Sequence, residues 1–236
     1  MDFSEEESQI ASELREWLPN PGDKLIRETI SAAQVDPLGY SDLADPENRS
    51  PVGRWMLYAN GFLMAGDRLV DHLVGIAAED ALIYPVVYLY RHFLELQLKA
   101  QILFCQPRLS GKTTKDVQSF KPKRLDNNHS LRNLWEILDG IYPKFADERP
   151  NITAAFESLL FELDALDPNS QAPRYALDKK GNQTFMGVQA LDLVTFKAGV
   201  HKMSHYLMGF EESVDAELES DGFTVTDDQL RESTEA

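Results

Sequence analysis

Residues 84–105 read YPVVYLYRHFLELQLKAQILFC, and how that stretch is covered decides the fold. Wound at about 3.6 residues per turn, it spreads Val86, Leu89, Tyr90, Phe93, Leu94, Leu96, Leu98, Leu103 and Phe104 around most of its circumference. A helix apolar on so many sides is predicted to be central, with neighbours on several faces. Tyr88, Arg91, His92, Glu95 and Lys99 fall together on the one remaining stripe, because residues three and four apart are helix neighbours. Ionisable groups on a buried helix are costly unless paired or solvated through a cleft. The plainer reading is an ion-pair ladder, Arg91 to Glu95 to Lys99, facing water or a partner helix. The sharper one is a cleft where Arg91 or Lys99 holds an anion and His92 works as acid or base. Both hold if the ladder lines a pocket.

Working outward, 236 residues with a 43% hydrophobic content suffice for a globular core, as one domain with elaborations. The formal net charge of −16 excludes generic whole-surface attraction to nucleic acid or an anionic membrane, while leaving room for a local basic patch. Cys105 is the single cysteine, so no intrachain disulfide forms and a reducing compartment suits the chain. In its apolar setting it reads as a buried inert thiol rather than a nucleophile. The first residues, MDFSEEES, lack the features of a signal peptide. The most apolar run, Ala81 to Tyr90, is about half a membrane span. A cytoplasmic protein with no membrane partner is expected.

On the amino-terminal side, Ser4 and Glu7 form a capping-box pattern ahead of Ile10, Leu14, Trp17 and Leu18. A second short helix covers Asp23 to Gln34, and the proline-rich 36–51 is a loop. Pro51 opens a long helix to about Ala78, with Trp55, Tyr58, Ala59, Phe62, Leu63, Gly66, Leu69, Val70 and Leu73 inward. Its glycines, Gly53, Gly61, Gly66 and Gly75, lower helix propensity but permit close helix approach. Pro85 is tolerated in the first turn of the central helix.

On the carboxyl side, residues 107–128 carry a net of +4 within an acidic chain and read as a long connection. That loop is a solvated link or, functionally, a phosphate-contacting element with Phe120 available for stacking. Helices are predicted over Ser130–Ile141, Asn151–Leu166 and Val188 to about Glu219, the middle one with Ile152, Phe156, Leu160 and Leu163 on one side. Residues 174–185, RYALDKKGNQTF, make the one candidate β-hairpin, and the acidic run from Glu211 reads as a solvated tail. The expected fold is all-α in the main. It is a bundle of five or more helices over 51–219, with an amino-terminal helical elaboration over 1–50 and an acidic tail over 220–236.

Other polar pairs are less telling. His129 precedes Ser130, which can cap the next helix, and Arg124 to His129 makes an Arg-x4-His spacing within a loop. His201 and His205 lie four apart on one helix face, but HKMSH lacks the glutamate of the zinc-protease pattern, and a polar flank is the favoured reading. Ser110-Gly111-Lys112-Thr113 resembles the end of a phosphate loop whose required earlier glycine is Gln106, which rules it out.

Three segments together resemble bacterial proteins of the HEPN superfamily. Arg91-His92 with Glu95, Leu96, Leu98 and Lys99 is similar to an RHxxELxLK helix. His129-Ser130-Leu131 with Leu134-Trp135 is similar to the H-x-L-x-x-L-W segment that follows it. Ser170 to Tyr175, with Asp178 and Gly181, resembles an S-x-x-F-R-Y-P-x-D-x-x-G stretch, departing at Pro173 and Ala176. The resemblance covers roughly residues 80–210. It implies a helical bundle that dimerises, in a superfamily of metal-independent ribonucleases, toxin–antitoxin components and non-catalytic RNA-binding or scaffold domains. Its nuclease members carry Arg-x(4-6)-His on a late helix, where this chain has Lys197 and His201. That departure favours binding over cleavage.

The expectation is therefore an RNA- or nucleotide-binding protein, with a scaffold or dimerisation module as the alternative. The candidate catalytic residues are His129, His92 and Arg91. The candidate substrate-binding residues are Tyr88, Glu95, Lys99, Arg124 and Arg174. No cofactor and no metal are expected. The expected partners are RNA or nucleotide through loop 107–128, a second copy of the chain, and a further protein.

Overall fold

The structure, a computed structural model, describes residues 51–75, 80–109, 125, 127–167, 170, 172–175, 177, 181, 184 and 190–220. All of these belong to one unit, Glu47–Ala236. The predicted helices before residue 50, most of the basic loop including Arg124, and the tail beyond Ser220 lie outside the described residues.

Six α-helices account for most of what is described: α1 (Pro51–Leu73), α2 (Ile83–Leu109), α3 (Leu131–Ile141), α4 (Lys144–Asp147), α5 (Pro150–Leu166) and α6 (Leu193–Ser220). A single 3-10 turn, Asp80–Leu82, leads into α2. The chain is all-α in the sense its periodicity predicts. The hairpin is not seen: residues 172–174 form turns, Leu177 makes an isolated bridge, and no strand occurs among the described residues. Among the described residues of that stretch, Gly181 stands at φ +82° and the Thr184 hydroxyl donates to the Tyr175 carbonyl at 2.8 Å.

Helix α2 is the axis. It packs along α1, α3 and α6, while α5 closes against α3 and α6. From Val86 onward its apolar side chains are buried almost without interruption, Cys105 among them. Pro85 sits in its first turn, where its missing N–H has no helical partner to lose. Along the α6 side, Gln97 and Gln101 are also buried and donate to the Ser204 and Leu207 carbonyls.

Helix α3 shows the sequence rule at its plainest. Leu131, Leu134, Trp135, Leu138 and Ile141 are all buried, and the Ser130 hydroxyl accepts from the Asn133 N–H as the cap. Trp135 anchors an aromatic cluster, lying 4.9 Å from Phe156 and 5.9 Å from Tyr206 between ring centres. Helix α5 buries Phe156, Leu160 and Leu163 as expected but differs at the edge of that face. Ile152 is exposed, because Thr153 points inward to meet the Tyr206 hydroxyl at 2.7 Å and Asp164 points inward to α3. Helix α6 runs through much of the acidic stretch, to Ser220, because Val214 and Leu218 are buried and Glu217 meets Lys144 at 2.6 Å. Among the described residues no helix is long and apolar enough to cross a membrane.

Gly66 makes the closest crossing. A Cβ built there would lie 2.8 Å from the ring of Tyr90, which is wholly buried. Gly61, one turn earlier, faces open space. Gly66→Ala is therefore expected to destabilise the fold by about 1–3 kcal/mol through overpacking. Gly61→Ala, on the same helix, is expected to stabilise it by roughly 0.5–1 kcal/mol through helix propensity. Urea unfolding of the two variants beside the wild type checks the opposite signs.

Candidate functional site

Arg91, Glu95 and Lys99 form the predicted ladder, but it faces neither water nor an open cleft. Arg91 is 0% exposed and Lys99 3%. The Glu95 carboxylate is the hub: Oε2 accepts from Arg91 Nη1 at 3.1 Å, and Oε1 accepts from Lys99 Nζ at 2.9 Å. His129 Nδ1 lies 2.9 Å from the same Oε1. Burial alone would push the Glu95 carboxyl up, but the Lys99 charge and hydrogen bond, the His129 hydrogen bond and the Arg91 charge hold it below its ordinary value. An ionised carboxylate only accepts, so His129 donates through Nδ1–H. In the neutral form of the ring the lone pair is then on Nε2, in a side chain that is half exposed.

The rest of Arg91 reaches other parts of the chain. Its Nη2 donates to the His129 carbonyl at 2.6 Å, and its Nε donates to the Asp167 carbonyl at 3.1 Å with Asp167 Oδ2 at 3.3 Å. His129 is thus gripped at backbone and side chain by two residues one helical turn apart. The helix it introduces is fixed from a third side, since buried Asp164 accepts from the Leu131 N–H at 2.7 Å and the Ser130 hydroxyl at 3.3 Å. Two cations against two carboxylates leave this joint neutral with neutral His129. Arg91 and Lys99 are accordingly committed to internal acids, and a ligand anion has to find its cation elsewhere.

Asp167 also shapes the turn after α5. Its carbonyl accepts from the Ser170 N–H at 3.2 Å, and its Oδ1 accepts from the Ala172 N–H at 2.9 Å. Ser170, buried and left-handed at φ +55°, offers its carbonyl to the Arg174 guanidinium, with Nε at 2.9 Å. That turn delivers Arg174, itself exposed, over the Tyr88 ring at 5.7 Å. Tyr88 stacks on His92 at 5.5 Å with the planes 8° apart, and Phe62 of α1 meets His92 edge-on at 4.5 Å. Burial, more than any neighbouring charge, pushes the His92 imidazole below its ordinary value, so at neutral pH it is an uncharged ring.

The candidate residues therefore divide into two groups. Glu95, Arg91, Lys99 and His129 share the buried joint, while His92, Tyr88 and Arg174 form a ring-and-cation stack. Beside His92, between α1 and α2, a cavity of about 260 Å³ is lined by Arg54, Trp55, Tyr58, His92 and Leu96. Lys99 connects the two groups, its ammonium lying 5.7 Å from the Trp55 ring centre while bonded to Glu95.

Of the cavity residues, His92 is a candidate from the sequence, Trp55, Tyr58 and Leu96 read there only as apolar helix positions, and Arg54 is not singled out. Asp167 and Asp164 were missed by spacing arguments, because their partners are distant in sequence. The same is true of Asp67, which accepts from the Tyr90 hydroxyl at 2.8 Å and lies 2.9 Å from His201 Nε2. Burial and then Asp67 push the Tyr90 phenol far up. His201 thus points to a carboxylate while His205 is exposed, and among the described residues no group of three acids, histidines or cysteines is placed to hold a metal.

Glu95→Gln removes the charge that both buried cations answer, and is expected to destabilise the fold by about 3–5 kcal/mol. The sign with pH follows from the depressed carboxyl. Its contribution is complete above the unfolded value of about 4.3 and is lost as pH falls through the lower folded value. Urea midpoints measured from pH 7 down into the acid range should fall more steeply for the wild type than for Glu95→Gln. Comparisons with protein-family models, with curated proteins and with solved structures return no match.

Proposed function

We propose that this chain binds RNA or nucleotides, a role within what its resemblance to the HEPN superfamily implies. The observation that carries the reading is the stack of Arg174 on Tyr88 on His92, which combines cation and ring surface of the kind that holds bases and phosphates. It provides local attraction on a chain whose net charge of −16 repels polyanions overall. His129 adds an imidazole whose Nδ1 is held by Glu95, leaving Nε2 to accept a hydrogen bond from a ligand hydroxyl. The same arrangement suits proton removal from a ribose 2′-hydroxyl, the first step of metal-independent RNA cleavage. In such a reaction the phosphate charge would fall to Arg174, since Arg91 is enclosed. The bacterial defence or toxin–antitoxin setting belongs to this proposal through the resemblance alone.

A second reading has its own support. The joint of Arg91, Glu95, Lys99 and Asp167 is buried and internally neutral, which is how a polar device that fixes helix register in a scaffold or dimerisation module is built.

Filter binding of the full chain to a panel of RNAs at several salt concentrations separates the two. The first reading expects salt-dependent binding, with Arg174→Ala lowering the salt slope by about one phosphate contact's worth and Tyr88→Ala weakening binding throughout. Any cutting without added metal is expected to vanish in His129→Ala. No binding to any RNA by the wild type leaves the scaffold.

A further inference from the structure

We infer that the cavity between α1 and α2 is a receptor for a single unpaired nucleobase, so that the chain takes single-stranded rather than duplex nucleic acid. This rests on the binding reading above and goes further by naming where a base is held and what strand form it requires. Three of the lining residues, Trp55, Tyr58 and His92, present rings, and Leu96 adds an apolar wall. His92 is uncharged and fixed by Tyr88 and Phe62, so its ring is a rigid surface. Tyr58 is 64% exposed, so its ring is open to a ligand. Flat apolar walls of this kind match the π-face that every base shares.

Size and charge narrow the occupant. About 260 Å³ falls below the roughly 300–1,000 Å³ of drug-sized sites and suits one ring system with part of its sugar. Arg54 among the lining residues supplies positive charge at the cavity, which favours a ring bearing a phosphate over a neutral aromatic. Among the described lining residues there is no carboxylate and no side-chain amide, and the rings outnumber the one group, Arg54, that could donate to a base edge. Stacking, which every base can offer, is therefore the main contact these residues supply, and uracil and adenine are expected to be held alike. A paired base is stacked within its helix and cannot enter, whereas a splayed single strand can.

The test is fluorescence anisotropy with fluorescein-labelled oligouridylate and oligoadenylate, alone and annealed to each other, against the full-length chain. The expected result is similar affinity for the two single strands and at least about ten-fold weaker binding of the duplex. Tyr58→Ala and Trp55→Ala should each weaken single-strand binding by about ten-fold or more, the loss of one stacking partner. Tyr58 is exposed, so its variant keeps the fold, and circular dichroism confirms this for both. Unchanged single-strand binding in folded Tyr58→Ala and Trp55→Ala overturns the cavity assignment while leaving the binding function intact. Equal affinity for duplex does the same. No binding of any strand by the wild type overturns both.

Discussion

One buried guanidinium holds this molecule in register. Arg91 donates to Glu95 on its own helix, to the backbone carbonyl of His129 at the entrance of α3, and to Asp167 at the exit of α5. Removing so many charges from water is unfavourable unless every donor and acceptor is answered, and the planar fork of arginine answers three segments at once. A shift of α2 against these segments would strand a charge, while the apolar burial along α2 supplies the bulk of the stability.

The same joint organises what reaches the surface. Through Glu95 it sets the tautomer and direction of the His129 ring, and through Asp167 it shapes the turn that carries Arg174 to Tyr88. Through Lys99 it stands behind Trp55. None of the buried ions needs to touch a ligand to matter. They are positioning residues, and the side chains with exposed surface, namely His129, Arg174 and Tyr58, are the ones that can meet a partner. The polar stripe thus splits into a buried part, Arg91, Glu95 and Lys99, and a partly exposed one, Tyr88 and His92.

Much of this was legible from residue spacing. The central helix, the ladder of Arg91, Glu95 and Lys99, the Ser130 cap and the inward seam of α3 all follow from local periodicity, and local geometry is what periodicity encodes. That His129 meets Glu95 on the stripe follows from no rule of spacing. The remainder depended on distant partners. Asp167 and Asp164 read as ordinary acids near a helix end, and only the folded chain shows one shaping a turn and the other capping α3. Phe156, Leu160 and Leu163 are buried as their pattern says, but Ile152 at the edge of that side is exposed, because Thr153 and Asp164 join the buried face to make their own hydrogen bonds. Arg91 and His92 are adjacent in sequence but about 100° apart around the helix, so one enters the joint and the other the ring stack.

The span of the joint along the chain has a consequence for how the molecule is made. Arg91 finds His129 only 38 residues later and Asp167 only 76 residues later. A nascent chain with α2 complete carries Arg91, Lys99 and Glu95 before Asp167, the second carboxylate of the joint, has been made. Closing such long loops is entropically costly, so the lock is completed only once the end of α5 has emerged.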